Sequence, residues 1–494
     1  MSGARRQALL TPVLFLVTCV VAVISSLGAP LIPLIAHDLD VSLSDAQWSL
    51  TAALLSGAVS APIMGRLGDG PRRREAIAGG LAVVVLGGVL AALAPSLPVL
   101  VAGRAMQGVG LGLIPLAMAA ARDGLPAEKV PATIALLSVS AAAGVGAGYP
   151  LSGLIAEHLG LDAAYWFGAG FALLALVCVL AVVPPSTATA AGRLDVRGAL
   201  LASAGLVALL LAIGQGTAWG WGSARIVGLL LAAVVLLGAW VPQQLRAAHP
   251  LIELRLLRHQ AVLTADAAAF VLGIAMYIDL SVLTAFVQEP SSSGYGFGAS
   301  VLTAGLCLVP FSVTSLIASR TLPHATRILG ARGVLPVGCL IVAVAGAGFA
   351  IDHQHLLEAF IMMAVLGVGL GYTFAAIPGL IVRAVPGEET GSAMGFYQVV
   401  RYIGFSIGSA LAASILAAHT PGGATHPTES GFTTALWVGA AICVLAATIA
   451  YVLPGRATSG GADETALETF EEEEAELGTA GVVGLHEPPR AHSG

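Results

Sequence analysis

Fourteen apolar runs, most of them about twenty residues long, divide this chain. Approximate spans are 10–36, 47–65, 76–94, 98–120, 132–156, 164–183, 197–214, 226–243, 262–287, 298–319, 333–351, 356–382, 392–418 and 432–453. A helix needs about 20 apolar residues to cross the hydrocarbon of a bilayer. Inside lipid every backbone polar group must be satisfied within the protein, which leaves helices as the structure for runs of this length. Composition agrees: 57% of the 494 residues are hydrophobic and 10% charged, against roughly 25% charged in a soluble domain. The expected fold class is therefore an all-α membrane protein with fourteen transmembrane helices. The first run is far longer than the h-region of a cleaved signal peptide, so it reads as a retained helix. The stretch Gly214 to Ser223 between the seventh and eighth runs also permits a re-entrant turn.

Charge placement tests the count. With the N-terminus inside and the helices alternating, nineteen of the 22 Lys and Arg fall in inside segments. Only Arg225 falls in an outside loop, and Arg104 and Arg401 lie within helices. That is the positive-inside pattern, and it predicts a multi-pass plasma-membrane protein with both termini cytoplasmic. Residues 454–494 include Glu471, Glu472, Glu473 and Glu474 in succession. A segment so polar buries too little apolar surface to fold, and a disordered acidic tail is expected.

The second helix of each six-helix set is followed by a short basic turn. The first reads Gly65-Arg66-Leu67-Gly68-Asp69-Gly70-Pro71-Arg72-Arg73-Arg74, and the second Arg327-Ile328-Leu329-Gly330-Ala331-Arg332-Gly333. The echo divides the chain into a cytoplasmic N-terminus (1–9), a six-helix bundle (10–183), a linker carrying two extra helices (184–260), a second six-helix bundle (261–453) and the tail.

Several chemistries are excluded. The cysteines Cys19, Cys178, Cys307, Cys339 and Cys443 lie singly within apolar runs, and no His-rich or C-x-x-C spacing offers a metal site. There is no Walker loop and no nucleophile elbow, so neither ATP nor a catalytic cofactor is expected, and an enzyme is not the leading reading. No basic patch interleaved with aromatics indicates nucleic acid. The expected partners are the lipid bilayer, a small-molecule substrate and protons, with a monomer as the expected state.

The motifs that remain resemble those of the major facilitator superfamily. Gly65, Asp69, Arg73 and Arg74 match its Gly-x-x-x-Asp-Arg-x-Gly-Arg-(Arg/Lys) loop, with Gly70 and Arg72 departing from it. Arg104-Ala105-Met106-Gln107-Gly108 resembles its Arg-x-x-Gln-Gly helix. In the fifth run, Gly144, Gly148, Pro150 and Gly153 resemble the antiporter motif Gly-x-x-x-Gly-Pro-x-x-Gly-Gly, with Tyr149 at the family proline position and Ser152 at a glycine. Thr303-Ala304-Gly305 through Pro310, and Arg401-Tyr402-Ile403-Gly404, look like the fourteen-helix drug:proton antiporter branch. That branch often carries an Asp midway along helix 1, where this chain has Ile24. The resemblance implies two six-helix bundles plus two central helices, and proton-driven efflux by alternating access.

Only Asp266 and Asp279 among the acids lie well within a predicted span, both in the ninth. A charge at the bilayer centre costs about 2.5–3.5 kcal/mol on insertion scales. Such an acid is a candidate proton carrier, because its neutral form is the one lipid tolerates. Thirteen residues separate the two acids, which places them about 140° apart around the helix. Arg104 cannot be deprotonated in a protein, so it is a candidate for holding substrate, as are Gln107, Arg401, Gln398, Tyr397 and Met276. Tyr277 and Phe286 offer further apolar wall. Gly65, Gly68, Asp69, Arg73 and Arg74 are the candidate cytoplasmic gate, and Gly144, Gly148, Pro150 and Gly153 a face for close helix approach. The leading expectation is a proton-coupled exporter of amphiphilic, drug-like molecules, which would confer antibiotic resistance. A metabolite uniporter or symporter is the alternative within the class. A polytopic membrane enzyme and a transport-inactive sensor are the alternatives outside it.

Overall fold

The computed structural model describes residues 3–27, 31–41, 43–46, 48–186, 195–248, 250–386, 389–421 and 426–452. Among them, thirteen helices are long and apolar enough to cross a membrane. In chain order, and including one more, the long helices are α1 (Gly3–Ser26), α2 (Trp48–Gly68), α3 (Arg73–Ala92), α4 (Leu97–Gly124), α5 (Val130–Leu159), α6 (Leu161–Val182), α7 (Val196–Trp219) and α8 (Ala224–Arg246). They continue as α9 (Gln260–Gln288), α10 (Leu302–Gly330), α11 (Arg332–Ile351), α12 (Leu356–Ala384), α13 (Thr390–Ala418) and α14 (Glu429–Val452). The additional helix is α5; its 30 residues extend about 45 Å at 1.5 Å per residue, enough to span. The fold is all-helical, with fourteen helices of spanning length, as expected.

Local chemistry explains where these helices start and stop. Pro98 and Pro131 sit in the first turns of α4 and α5, where a missing N–H costs nothing. Asp195 caps α7 by accepting from the Gly198 amide at 2.9 Å, and Ser223 caps α8 through Ile226. Gly214 lies inside a continuous α7; the chain turns instead at Gly220, with φ 82°, so there is no re-entrant segment here. Midway along α4 the backbone tightens to a 3₁₀ turn at Val109–Gly112.

Two boundaries differ from expectation. Helix α1 begins at Gly3, within the predicted N-terminal extension, and ends at Ser26 rather than 36; a separate short helix occupies Ile32–Asp38. Helix α10 does not stop at 319 but continues to Gly330, whose φ of 72° makes the turn into α11. Most of the supposed loop from Arg327 is thus helical. Arg320, His324 and Arg327 are exposed: apolarity ends at the hydrocarbon boundary, but helical hydrogen bonding continues past it. The predicted acidic tail lies outside the described residues.

Helices α1 to α6 pack as one group, with α1 against α5, α6 and α4, α2 against α4, and α3 against α4 and α6. Helices α9 to α14 form a second, with α9 against α12, α13 and α14, and α12 against α10 and α11. The groups meet where α2 and α4 touch α13, and where α5 touches α10 and α12. Glycines permit the close crossings: a Cβ on Gly65 would collide with the backbone of Gly391. The hairpin of α7 and α8 lies outside both groups. Its α7 packs on α2 and on α13, with Trp48 of α2 against Trp219 at 6.3 Å between ring centroids. At the other end Asp195 accepts from Gln243 and Gln244 at 2.8 and 2.7 Å, and the Gln244 side-chain Oε1 accepts the Ile252 amide. Burial opposes ionisation of Asp195, but these hydrogen bonds outweigh it and hold the carboxyl below its usual range.

Candidate functional sites in the helix bundle

The turn between α2 and α3 brings Asp69 to the start of α13. Residue Glu389 precedes that helix without capping it by its side chain. The first N–H groups of a helix need acceptors and favour negative charge, and Asp69 supplies both from the other six-helix group. Its Oδ1 accepts the Gly391 amide at 2.6 Å and its Oδ2 the Ser392 amide at 2.8 Å. Burial pushes the Asp69 carboxyl up to about 6, against the opposing pull of the Ser392 and Gly391 hydrogen bonds and the positive charge of Arg66.

Arginines complete the cluster. Arg73 donates to the Gly68 carbonyl and, at 2.7 Å, to Asp123, binding the turn to the end of α4. Arg74 points elsewhere and donates to the Leu180 carbonyl of α6. Gly65 lies against Gly391 and Gly395, and Gly68 against Leu116. Two members were missed by sequence reasoning. Arg122 donates to Thr390 Oγ1 and, at 3.1 Å, to the Val385 carbonyl, crossing between the groups; Asp123 holds Arg73. Both sit in the last turn of α4 and read as ordinary loop charges. Their signal was the Arg-Asp pair directly after an apolar helix.

Deeper in the first group, Arg104 is fully buried, with relative exposure of 0%. It donates to the Gln107 side-chain oxygen at 2.7 Å and to the carbonyls of Ile24 and Ser49 at 3.3 and 3.4 Å. Ile24 is where the resembling branch often has its helix 1 Asp, so in this chain the arginine faces a backbone carbonyl at that position. The glycine face of α5 packs beside it: Gly144 abuts Ala22, Gly148 abuts Ser26, and Ser152 donates to the Ser26 carbonyl. Gly153 faces open space, and α5 runs unbroken through Pro150.

In the second group, Arg401 of α13 lies among aromatic rings. Its guanidinium carbon stands 5.0 Å from the ring centroid of Phe374, 5.4 Å from Tyr397, 5.5 Å from Phe405 and 6.0 Å from Tyr402. Tyr277 of α9 stacks on Phe405 at 4.6 Å. Nη1 of Arg401 is 3.4 Å from the Tyr397 hydroxyl. Arg401 Nε and both amide atoms of Gln398 are buried without a hydrogen-bond partner among the described residues.

The two acids of α9 are buried and apart. Among the described residues, both carboxylate oxygens of Asp279 lack a hydrogen-bond partner, as does Oδ1 of Asp266. Asp279 fits between Gly346 of α11 and Gly439 of α14, with Cys443 nearby. Arg401 lies against the α13-facing side of α9, where Gly273 meets its carbonyl. The structure therefore brings Arg401, Gln398 and Tyr397 together and Arg104 and Gln107 together, and turns Asp279 toward α11 and α14 instead. Met276 is buried on α9. Phe286 belongs to an aromatic cluster with Tyr295, Phe297, Phe349 and Phe432.

Two packed six-helix groups, a hairpin beside them and charges buried in the helices define a multi-pass membrane protein. The sequence description of the Major Facilitator Superfamily matches residues 14–409 and 267–483, and the chain belongs to that family. That family is one of membrane transporters. The chain is 31% identical over 419 residues to an uncharacterized MFS-type transporter of Mycobacterium tuberculosis, a match covering 83% of this chain but 59% of that one. It is 28% identical over 401 residues to the tetracenomycin C resistance and export protein of Streptomyces glaucescens, covering 80% and 73%. With the puromycin resistance protein pur8 of Streptomyces alboniger it shares 29% identity over 464 residues, 88% of each chain. The human organic anion transporter MFSD10 (TETRAN) superposes with a TM-score of 0.61 at 16% identity, covering 91% of this chain and 100% of that one, a likeness of fold.

Proposed function

We propose that this chain exports drug-like amphiphiles from the cell in exchange for protons. The observation that carries the reading is Asp279: a buried acid well inside a spanning helix, with neither oxygen hydrogen-bonded among the described residues. An intramembrane acid of this kind is a functional site by default, and a carboxyl that cycles between neutral and charged forms is what proton exchange requires. Asp266 is the second candidate carrier. Relatives named for resistance to puromycin and for tetracenomycin C export support the direction and the class of cargo.

The division into bundles over 10–183 and 261–453 with a linker over 184–260 belongs to the same proposal, as does a cytoplasmic position for both termini. The Asp69 cluster is then a cytoplasmic gate, and this conformation is shut on that side. Release of Asp69 and Arg122 from α13 lets the groups rock about a midplane site.

The test is uptake of puromycin or tetracenomycin C into proteoliposomes under an imposed pH gradient, in wild type and Asp279→Asn. Wild type is expected to accumulate the compound only with the gradient, and the variant to lose accumulation while retaining downhill flux. Accumulation that ignores the gradient in both proteins overturns proton coupling; normal coupling in the variant moves the carrier away from Asp279.

A further inference from the structure

We infer that the Arg401 cage is an anion-binding subsite, and that it receives those transported compounds that carry an ionised oxygen group on a flat aromatic body. This rests on the export reading above and names its substrate class.

A guanidinium presents two faces and an edge. Its faces stack on aromatic rings, while its five N–H donors point outward along the edge and need acceptors. Around Arg401 the rings of Phe374, Tyr397, Tyr402 and Phe405 lie 5.0 to 6.0 Å from the guanidinium carbon. The ring faces stabilise the charge but accept nothing from the edge; there Nη1 donates to the Tyr397 hydroxyl at 3.4 Å, and the remaining donors are not met by any charged group of the described residues. Nε has no acceptor, and no carboxylate of the described residues pairs with Arg401. Asp279, on the same neighbouring helix, is turned toward α11 and α14. Among the described residues the positive charge therefore sits inside the bundle without a counter-ion.

Arg104 shows what an arginine held for structure looks like in this same protein: three protein oxygens accept from it. Arg401 lacks that arrangement, and Gln398 beside it leaves both its donor and its acceptor unused at 1% exposure. Residues 397, 398, 401 and 405 share one face of α13 by helical spacing. On that face a fixed charge, an unpaired amide and the stacked rings of Phe405 and Tyr277 stand together. A carboxylate or phenolate would accept from the Arg401 edge and the Gln398 amide, and its aromatic body would lie along the rings.

Binding of 2-naphthoate and of its neutral isostere 2-naphthamide to the purified full-length protein tests this, by calorimetry at neutral pH. Wild type is expected to bind the naphthoate at least about tenfold more tightly, the value of one charge-assisted hydrogen bond. Arg401→Gln is expected to abolish the preference, and Arg320→Gln, at an exposed arginine of α10, to keep it. Equal binding of the two probes by wild type, no saturable naphthoate binding, or a preference that survives in folded Arg401→Gln overturns the subsite. The proteoliposome result is separate. Gradient-driven puromycin transport without a naphthoate preference leaves the exporter and removes the subsite. A naphthoate preference without gradient-driven transport does the reverse.

Discussion

Arg104 donates to two backbone carbonyls and to Gln107, while Arg401 rests against four rings. Sequence reading found both residues because any arginine inside an apolar run is conspicuous. It could not tell them apart, because their acceptors are main-chain atoms on α1 and α2 in one case and rings on α12 and α13 in the other. For α9 the angle between Asp266 and Asp279 was legible, but not the glycines of α11 and α14 that receive Asp279. The Arg104 geometry makes a residue-level prediction. Ile24→Asp would place a carboxylate beside a guanidinium that already donates to the Ile24 carbonyl. Unpaired, a buried carboxylate is costly. The substitution is therefore expected to be milder with Arg104 present than in an Arg104→Gln background, by about 0.5–3 kcal/mol of coupling. Denaturation midpoints of the four proteins in detergent would read this, and additive effects would refute it.

Helices α2 and α13 meet through Gly65, Gly391 and Gly395 and are joined by the Asp69 cap. Gly65→Val, which drives a side chain into the Gly391 backbone, is expected to keep this end from closing, as a longer distance between spin labels on the two helix ends. The same distance measures pH dependence. The Asp69 carboxyl titrates near 6 when buried here and near 4 when solvated. The closed state therefore binds the proton more tightly and gains population as pH falls from about 6 toward 4. That gain is lost as pH rises through 6, and Asp69→Asn is expected to abolish the dependence. The fourteen spans themselves were readable because lipid imposes a length on an apolar run. The ends of α1 and α10 were not, because a helix extends beyond the hydrocarbon wherever its backbone can still hydrogen-bond. Arg122 and Asp123 were hidden for a related reason: charges at a helix end serve topology and gating alike, and only their contact with α13 separates the two.

At the level of the whole molecule, the proposed rocking must break a short set of contacts between the groups. Arg122 supplies two of them, to Thr390 and Val385. Removing both with Arg122→Ala is expected to shift the equilibrium toward opening at this end by about 1–3 kcal/mol, roughly 5- to 150-fold in population. Single-molecule distance measurements across the α2–α13 end would show it; an unchanged distribution would exclude Arg122 from the gate. The hairpin has a stake in the same motion. Its α7 touches both α2 and α13, and Leu251, just beyond α8, accepts from the Ser392 hydroxyl, one residue from the amide at Gly391 that Asp69 also engages.

The Asp69 cap also has a meaning for biogenesis. The ribosome delivers α2 and its carboxylate long before α13 exists, since chains emerge and assemble from the N-terminus. Through that interval Asp69 has no helix end to cap, and α13 arrives without a side-chain cap from Glu389. Each supplies what the other lacks, so the seal at this end cannot form until nearly the entire chain has been inserted. A truncated or misinserted second half would leave a carboxylate and a helix terminus exposed at the bilayer edge, a local mark of incompleteness available to membrane quality control.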